Sequence, residues 1–238
     1  MEHEPRGACR VRRDLRRSIM LRGNTGPVAS RMSTRENYLI EIDGKDFKLL
    51  KGNRPINSSV IDFYLTLVAI NSHKISFGQT CFSISARSIQ DVKLQSPKKA
   101  ADKIVSNPFH NDLLLIPIFD GPCGAGHWAL CVYHTASHQF QIYNSIASTN
   151  RYLTPILLSI KLFIFFLHRK FLLTAPDLTA MKIIYKKCPQ QKKGCYSCGI
   201  FVLKAAEYLS YNFPISFNPN YMDLYRRDVG LKITRNSI

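Results

Sequence analysis

Apolar and polar positions divide the chain into a polar leader and a patterned body. Across residues 38–50 short apolar runs alternate with polar residues about Asp43-Gly44, which predicts a β-hairpin and sets the start of folded sequence near residue 37. Gly52-Asn53-Arg54-Pro55 breaks this pattern. Beyond it Val60, Ile61, Phe63, Tyr64, Leu67 and Val68 recur at helical spacing, with Ser58 or Ser59 as the cap. The segment 72–111 has a polar centre over 90–102 that accommodates one or two short helices. Three runs then read as consecutive strands, 113–119, 128–133 and 139–143, separated by a Gly-rich loop (121–126) and a polar turn (135–138). A buried helix over 155–167, a strand at 181–185 and a helix over 199–209 whose apolar residues suit near-complete burial complete the body. Helix, strands, helix, strand, helix is the order of an α+β fold.

Composition supports one main domain. A chain of 238 residues with 45% hydrophobic and 11% aromatic residues buries a substantial core. The formal net charge of +17 is unevenly placed, with an Arg-rich run from Arg10 to Arg17, so residues 1–36 read as a flexible basic tail and 37–238 as a single domain. Such a tail suits a nuclear-localisation signal or weak nucleic-acid contact, or a transit peptide, although Glu2, Glu4 and Asp14 fit the last poorly. Seven cysteines without a disulfide-like ladder point to a reducing setting, nucleus or cytoplasm. The most apolar stretch, 152–167, is interrupted by Pro155 and Lys161 and falls short of a membrane span, so no membrane association is expected.

Cys198 directly precedes Gly199 at the start of the apolar C-terminal helix, where backbone N–H groups and the helix dipole favour a thiolate. His127 stands between the Gly-rich loop and the strand that follows, placed to act as a base, and Asn144, at the end of the next strand, can offer an amide oxygen to that imidazole. Taken singly, each also reads as a buried cysteine, a loop histidine and a turn asparagine.

Together they match a known pattern. His127-Trp-Ala-Leu-Cys-Val-Tyr133 followed by Ile142-Tyr-Asn-Ser145 resembles the His-Trp-x-Leu … Tyr-Asp-Ser block of the ubiquitin-like-protein-specific cysteine proteases, the SUMO and NEDD8 deconjugating family. The segment from Pro189 to Val202, with Cys198-Gly199-Ile200-Phe201-Val202, is similar to that family's Gln-x-Asp-Cys-Gly-x-Phe-Val, and 56–64 resembles its first helix block. The resemblance spans about residues 50–225. It implies a papain-like fold, a central mixed sheet flanked by helices with the nucleophile at a helix N-terminus, and a cysteine-type peptidase that needs no cofactor and no metal.

Its implied roles are Cys198 as nucleophile, His127 as base, Asn144 as the residue orienting the histidine and a glutamine as oxyanion donor, a contribution worth about 3 kcal/mol of barrier. Trp128 would wall a tunnel for a Gly-Gly tail, with Gly199 and Asn57 also on the substrate side. The implied partner is a ubiquitin-like protein of the SUMO or NEDD8 class and its conjugates. Several positions depart from the pattern: Asn144 and Ser197 replace aspartates, Pro55 a tryptophan and Ser58 an aspartate. One extra residue before Cys198 leaves Gln191, Gln190 and Lys192 as oxyanion candidates, with Gln191 preferred. Two other readings use the same residues: a catalytically impaired relative that binds ubiquitin-like proteins, and a Cys3His zinc site from Cys123, His127, Cys195 and Cys198.

Overall fold

In the computed structural model, which describes residues 30–33, 39–121 and 126–238, a five-stranded mixed sheet carries the molecule. Its strands are β3 (Cys81–Ser83), β4 (Leu113–Asp120), β5 (His127–His134), β6 (Gln139–Tyr143) and β7 (Ile183–Lys186), in that spatial order, after an N-terminal pair β1 (Ser30–Ser33) and β2 (Leu39–Ile42). β4, β5 and β6 form an antiparallel meander, while β3 and β7 join its two edges in parallel. The helices are α1 (Gly44–Leu49), α2 (Ser58–Ser72), α3 (Ala86–Leu94), α4 (Pro97–Lys103), α5 (Asn150–Leu172), α6 (Cys198–Ser210) and α7 (Met222–Arg235).

The apolar runs of β4 and β5 follow from burial on both faces. Leu113, Leu115, Trp128, Leu130 and Val132 face a core shared with α2, α6 and α7. The alternate residues, Leu114, Ile116, Ile118, Ala129, Cys131 and Tyr133, face a second core under α3, α4 and α5. Pro117 is tolerated inside β4 because β3 pairs only through Leu115, so the missing N–H faces a side with no further ladder partner. On the first face α6 is buried from Cys198 to Glu207, and its one acid is matched: Glu207 accepts from Tyr64 Oη at 2.8 Å and Lys204 Nζ at 2.7 Å. Burial pushes Glu207 up, but Lys204 and Lys232 outweigh it and hold its carboxyl below the usual value.

Several elements differ from the sequence reading. Asp43-Gly44 starts a helix instead of turning a hairpin, because the Asp43 carboxylate accepts from the N–H groups of Lys45 and Asp46 (2.7 and 3.0 Å) while Asp46 takes the Asp43 N–H (3.0 Å). β2 pairs upstream with β1, which lies within the segment assigned to the tail; residues 1–29 and 34–38 are outside the described residues. Asn57, not Ser58 or Ser59, caps α2, accepting from Val60 N–H at 3.1 Å. α5 begins at Asn150, five residues before Pro155, and the proline removes only one bond near its N-terminus. β3 and α7 had no expectation attached. Among the described residues no helix is long and apolar enough to cross a membrane.

Candidate active site

β5 and α6 pack together and bring two of the sequence-marked residues to one place. Cys198 is the first residue of α6 and only 5% exposed. The backbone N–H groups of Trp128, Gly199 and Cys198 itself face its sulfur, so the thiol lies against the start of β5, where His127 stands. Burial pushes the Cys198 thiol above its ordinary value, while those three N–H groups and the Arg226 guanidinium pull it back. Gly199 is required by packing: a Cβ there would run into the Ile56 side chain. Gly126 is equally constrained, since a Cβ would meet the Asp120 carbonyl oxygen at 2.6 Å just before His127.

His127 Nε2 lies 2.6 Å from Asn144 Oδ1. The amide orientation is fixed by its other end, because Asn144 Nδ2 donates to Thr149 Oγ1 (3.0 Å) and Asn150 Oδ1 (2.7 Å) and Oδ1 also accepts the Ile146 N–H (3.0 Å). Oδ1 is therefore the atom facing the ring, and Nε2 is the nitrogen that carries the proton. Nδ1 holds no hydrogen bond among the described residues, which leaves it as the nitrogen able to take a proton from a thiol. Burial holds His127 below the ordinary histidine value, opposed by the Asn144 bond and by the Asp120 carboxylate across the β4–β5 ladder. Burial thus pushes both groups towards their neutral forms, and an imidazole so placed can take a thiol proton as a general base.

The two glutamines separate. Gln190 reaches away from the nucleophile, its Nε2 donating to Asn144 O (3.0 Å) and its Oε1 accepting from Ala147 N–H (2.9 Å). Gln191 spans from Ser145, whose hydroxyl donates to its Oε1 at 3.2 Å, to the Cys195 carbonyl, which accepts from its Nε2 at 3.1 Å. It thus lies along the loop that ends at Cys198, whereas Lys192 is exposed on the turn before it.

Trp128 is buried, donates from Nε1 to the Ile56 carbonyl at 3.1 Å and packs on Phe119 at 4.8 Å between ring centroids. Asn57 is occupied at both ends of its amide, capping α2 through Oδ1 and donating from Nδ2 to Asp46 at 2.6 Å. Cys123, one member of the zinc reading, lies outside the described residues, and among those described no group of three or more metal-ligating side chains is present.

Sequence reasoning passed over three supports. Asn53 bridges the nucleophile loop, donating to Gly194 O (3.1 Å) and accepting from Tyr196 N–H (2.8 Å). Thr149 and Asn150 fix the Asn144 amide, and Arg226 underlies Cys198. The polar break at 52–55 was a usable signal for Asn53; nothing local in the sequence marks the others.

A cysteine at a helix N-terminus, beside a histidine held by an amide at the end of a neighbouring sheet hairpin, defines a papain-like thiol peptidase domain. Within that class the chain belongs to the Ulp1 protease family: residues 54–236 match its C-terminal catalytic domain. It is 30% identical over 180 residues to the probable sentrin-specific protease 8 of Dictyostelium discoideum, covering 69% of each chain. To NEDD8-specific protease 1 of Arabidopsis thaliana it is 28% identical over 172 residues, 68% of each chain. With sentrin-specific protease 2 of Rattus norvegicus it shares 25% identity over 204 residues, 84% of this chain but only 33% of that longer protein. Among solved structures, the C-terminal Ulp1 protease domain in complex with Smt3, the yeast ortholog of SUMO, aligns with a TM-score of 0.65 at 20% identity over 88% of this chain and 89% of that one, which establishes the shared fold.

Proposed function

We propose that this chain is a thiol protease and isopeptidase that cleaves after the C-terminal Gly-Gly of a ubiquitin-like protein of the SUMO or NEDD8 class. The observation that carries the reading is the 2.6 Å bond from His127 Nε2 to Asn144 Oδ1, which leaves Nδ1 without a hydrogen bond among the described residues at the start of the strand whose Trp128 N–H faces the Cys198 sulfur. In this reading His127 takes the Cys198 proton as the sulfur attacks the glycine carbonyl, and returns it to the departing amine; water then releases the acyl group by the same route in reverse. The oxyanion meets the N–H groups at the start of α6, with the Gln191 amide as a further donor. The substrate class comes from the relatives, named as NEDD8-specific and sentrin-specific proteases. The basic tail adds a weak, salt-sensitive nucleic-acid contact in the same proposal.

The test is covalent capture with SUMO, NEDD8 and ubiquitin probes, each carrying a C-terminal electrophile, followed by mapping of the modified peptide. An adduct on Cys198 with the SUMO or NEDD8 probe, lost in Cys198→Ala, supports the enzyme. Reversible binding of such a protein without any adduct would favour the impaired binding module, for which the replacement of aspartates by Asn144 and Ser197 is the relevant observation.

A further inference from the structure

Arg226 has the largest fully buried side chain among the described residues, 1% exposed on α7. Its Nη1 donates to Leu49 O at 3.0 Å, and its Nη2 to Tyr196 O at 2.7 Å and Ser197 Oγ at 3.3 Å, while Nε has no partner. Among the described residues no carboxylate forms an ion pair with it. A guanidinium held away from water by two carbonyls and a hydroxyl, with no such ion pair, is a local source of positive field. The titratable groups facing it are the Cys195 and Cys198 thiols from the loop and α6, and Asp223 from its own helix. On the neighbouring strands His127 of β5 pairs across the ladder with Asp120 of β4, whose carboxylate is its charged neighbour.

The residue it touches, Ser197, immediately precedes the nucleophile and makes no side-chain cap on α6. In the family pattern this position is aspartate, whose carboxylate beside the guanidinium would cancel much of its field. Here the serine leaves that field in place. On the other side of the sulfur, Asn144 gives His127 orientation without negative charge. Both replacements move the fixed charge around Cys198 in the positive direction, and that favours an ionised sulfur while giving an imidazolium less support.

We propose that Arg226 is a positioning residue of this site: it fixes the Tyr196–Ser197 segment that ends at Cys198 and supplies a buried positive charge, held in no ion pair among the described residues, that favours the sulfur anion in place of the support a carboxylate at position 144 would give through the histidine. The inference rests on Cys198 being the nucleophile. Its test reads the thiol directly, so it stands apart from whether any ubiquitin-like protein is cleaved.

The experiment is alkylation of the full chain by iodoacetamide across a pH series, followed at the Cys198 peptide by mass spectrometry, with thermal unfolding recorded for each variant. Arg226→Gln is expected to raise the midpoint of Cys198 reactivity by about one pH unit, equivalent to about tenfold slower alkylation at a fixed pH below it. Arg226→Lys, which keeps the charge, should stay nearer the wild-type midpoint even where it unfolds earlier. Should the glutamine variant fail to fold, Ser197→Asp is the deciding case: it leaves Arg226 in place, and pairing with it should raise the midpoint similarly. An unmoved midpoint in Arg226→Gln or Ser197→Asp, or equal shifts in the Gln and Lys variants, would overturn the electrostatic role and leave Arg226 as packing alone.

Discussion

Strand β5 carries a histidine-centred polar cluster at each end, and the two clusters are built on opposite principles. Near its C-terminal end the Tyr133 hydroxyl lies 2.8 Å from both His138 Nδ1 and His168 Nε2, and His168 stacks on Phe109 at 3.9 Å between centroids. There one hydroxyl meets two rings and ties β5, the turn beyond it and α5 together. At the N-terminal end the amide of Asn144 is saturated, yet the histidine it holds keeps one nitrogen unspent beside a thiol. A cluster whose central group is fully engaged holds a fold together; one that stops short by a single bond can move a proton.

The sharpest way to break this contrast is to remove the ring that has a spare nitrogen. His127→Gln should lower cleavage of a ubiquitin-like substrate by about 10²–10⁴-fold with little change in unfolding temperature, as a general base does. Asn144→Ala comes next. Losing the bond that sets the ring should cost about 1–3 kcal/mol of transition-state stabilisation, about 5–150-fold in kcat/KM, with the ring still present. At the other end of the strand the signs reverse: Tyr133→Phe should cost about 1–3 kcal/mol in denaturant unfolding, since two ring nitrogens lose their shared partner, while cleavage stays within about twofold.

The smallest effect is in pH. Burial first, and the His138 charge second, hold His168 down at about 4, against an ordinary 6.5. The unfolded chain therefore takes up the proton first as pH falls, so this group's contribution is fully present above about 6.5, is lost progressively between about 6.5 and about 4, and changes no further below that. Unfolding midpoints measured across that window in wild type and His168→Gln should converge at the acid end. Parallel curves would remove His168 from the account of acid stability.

What the sequence revealed depended on whether a residue obeys the apolar pattern. β4 and β5 were readable because both of their faces are buried, and Asn144 because the β5–β6 hairpin places it at a fixed distance along the chain from His127. α1 was misread because Asp43-Gly44 suits a turn as well as a cap, and only the reciprocal bonds with Asp46 decide between them. α7 was missed because its sequence is charged and its buried face includes an arginine, the residue type that periodicity assigns to solvent. Arg226 reaches Tyr196, 30 positions upstream, and Leu49, 177 positions upstream, through main-chain carbonyls, which carry no side-chain signature.

The central claim is that Cys198 and His127 act as one unit. Turnover of SUMO and NEDD8 substrates bearing a fluorogenic C-terminal amide, measured for wild type, Cys198→Ala, His127→Gln and the double variant, tests it most directly. The expected result is release after the terminal glycine by the wild type, with each single variant reduced nearly as far as the double. Release that survives Cys198→Ala, or losses that simply multiply in the double variant, would contradict it.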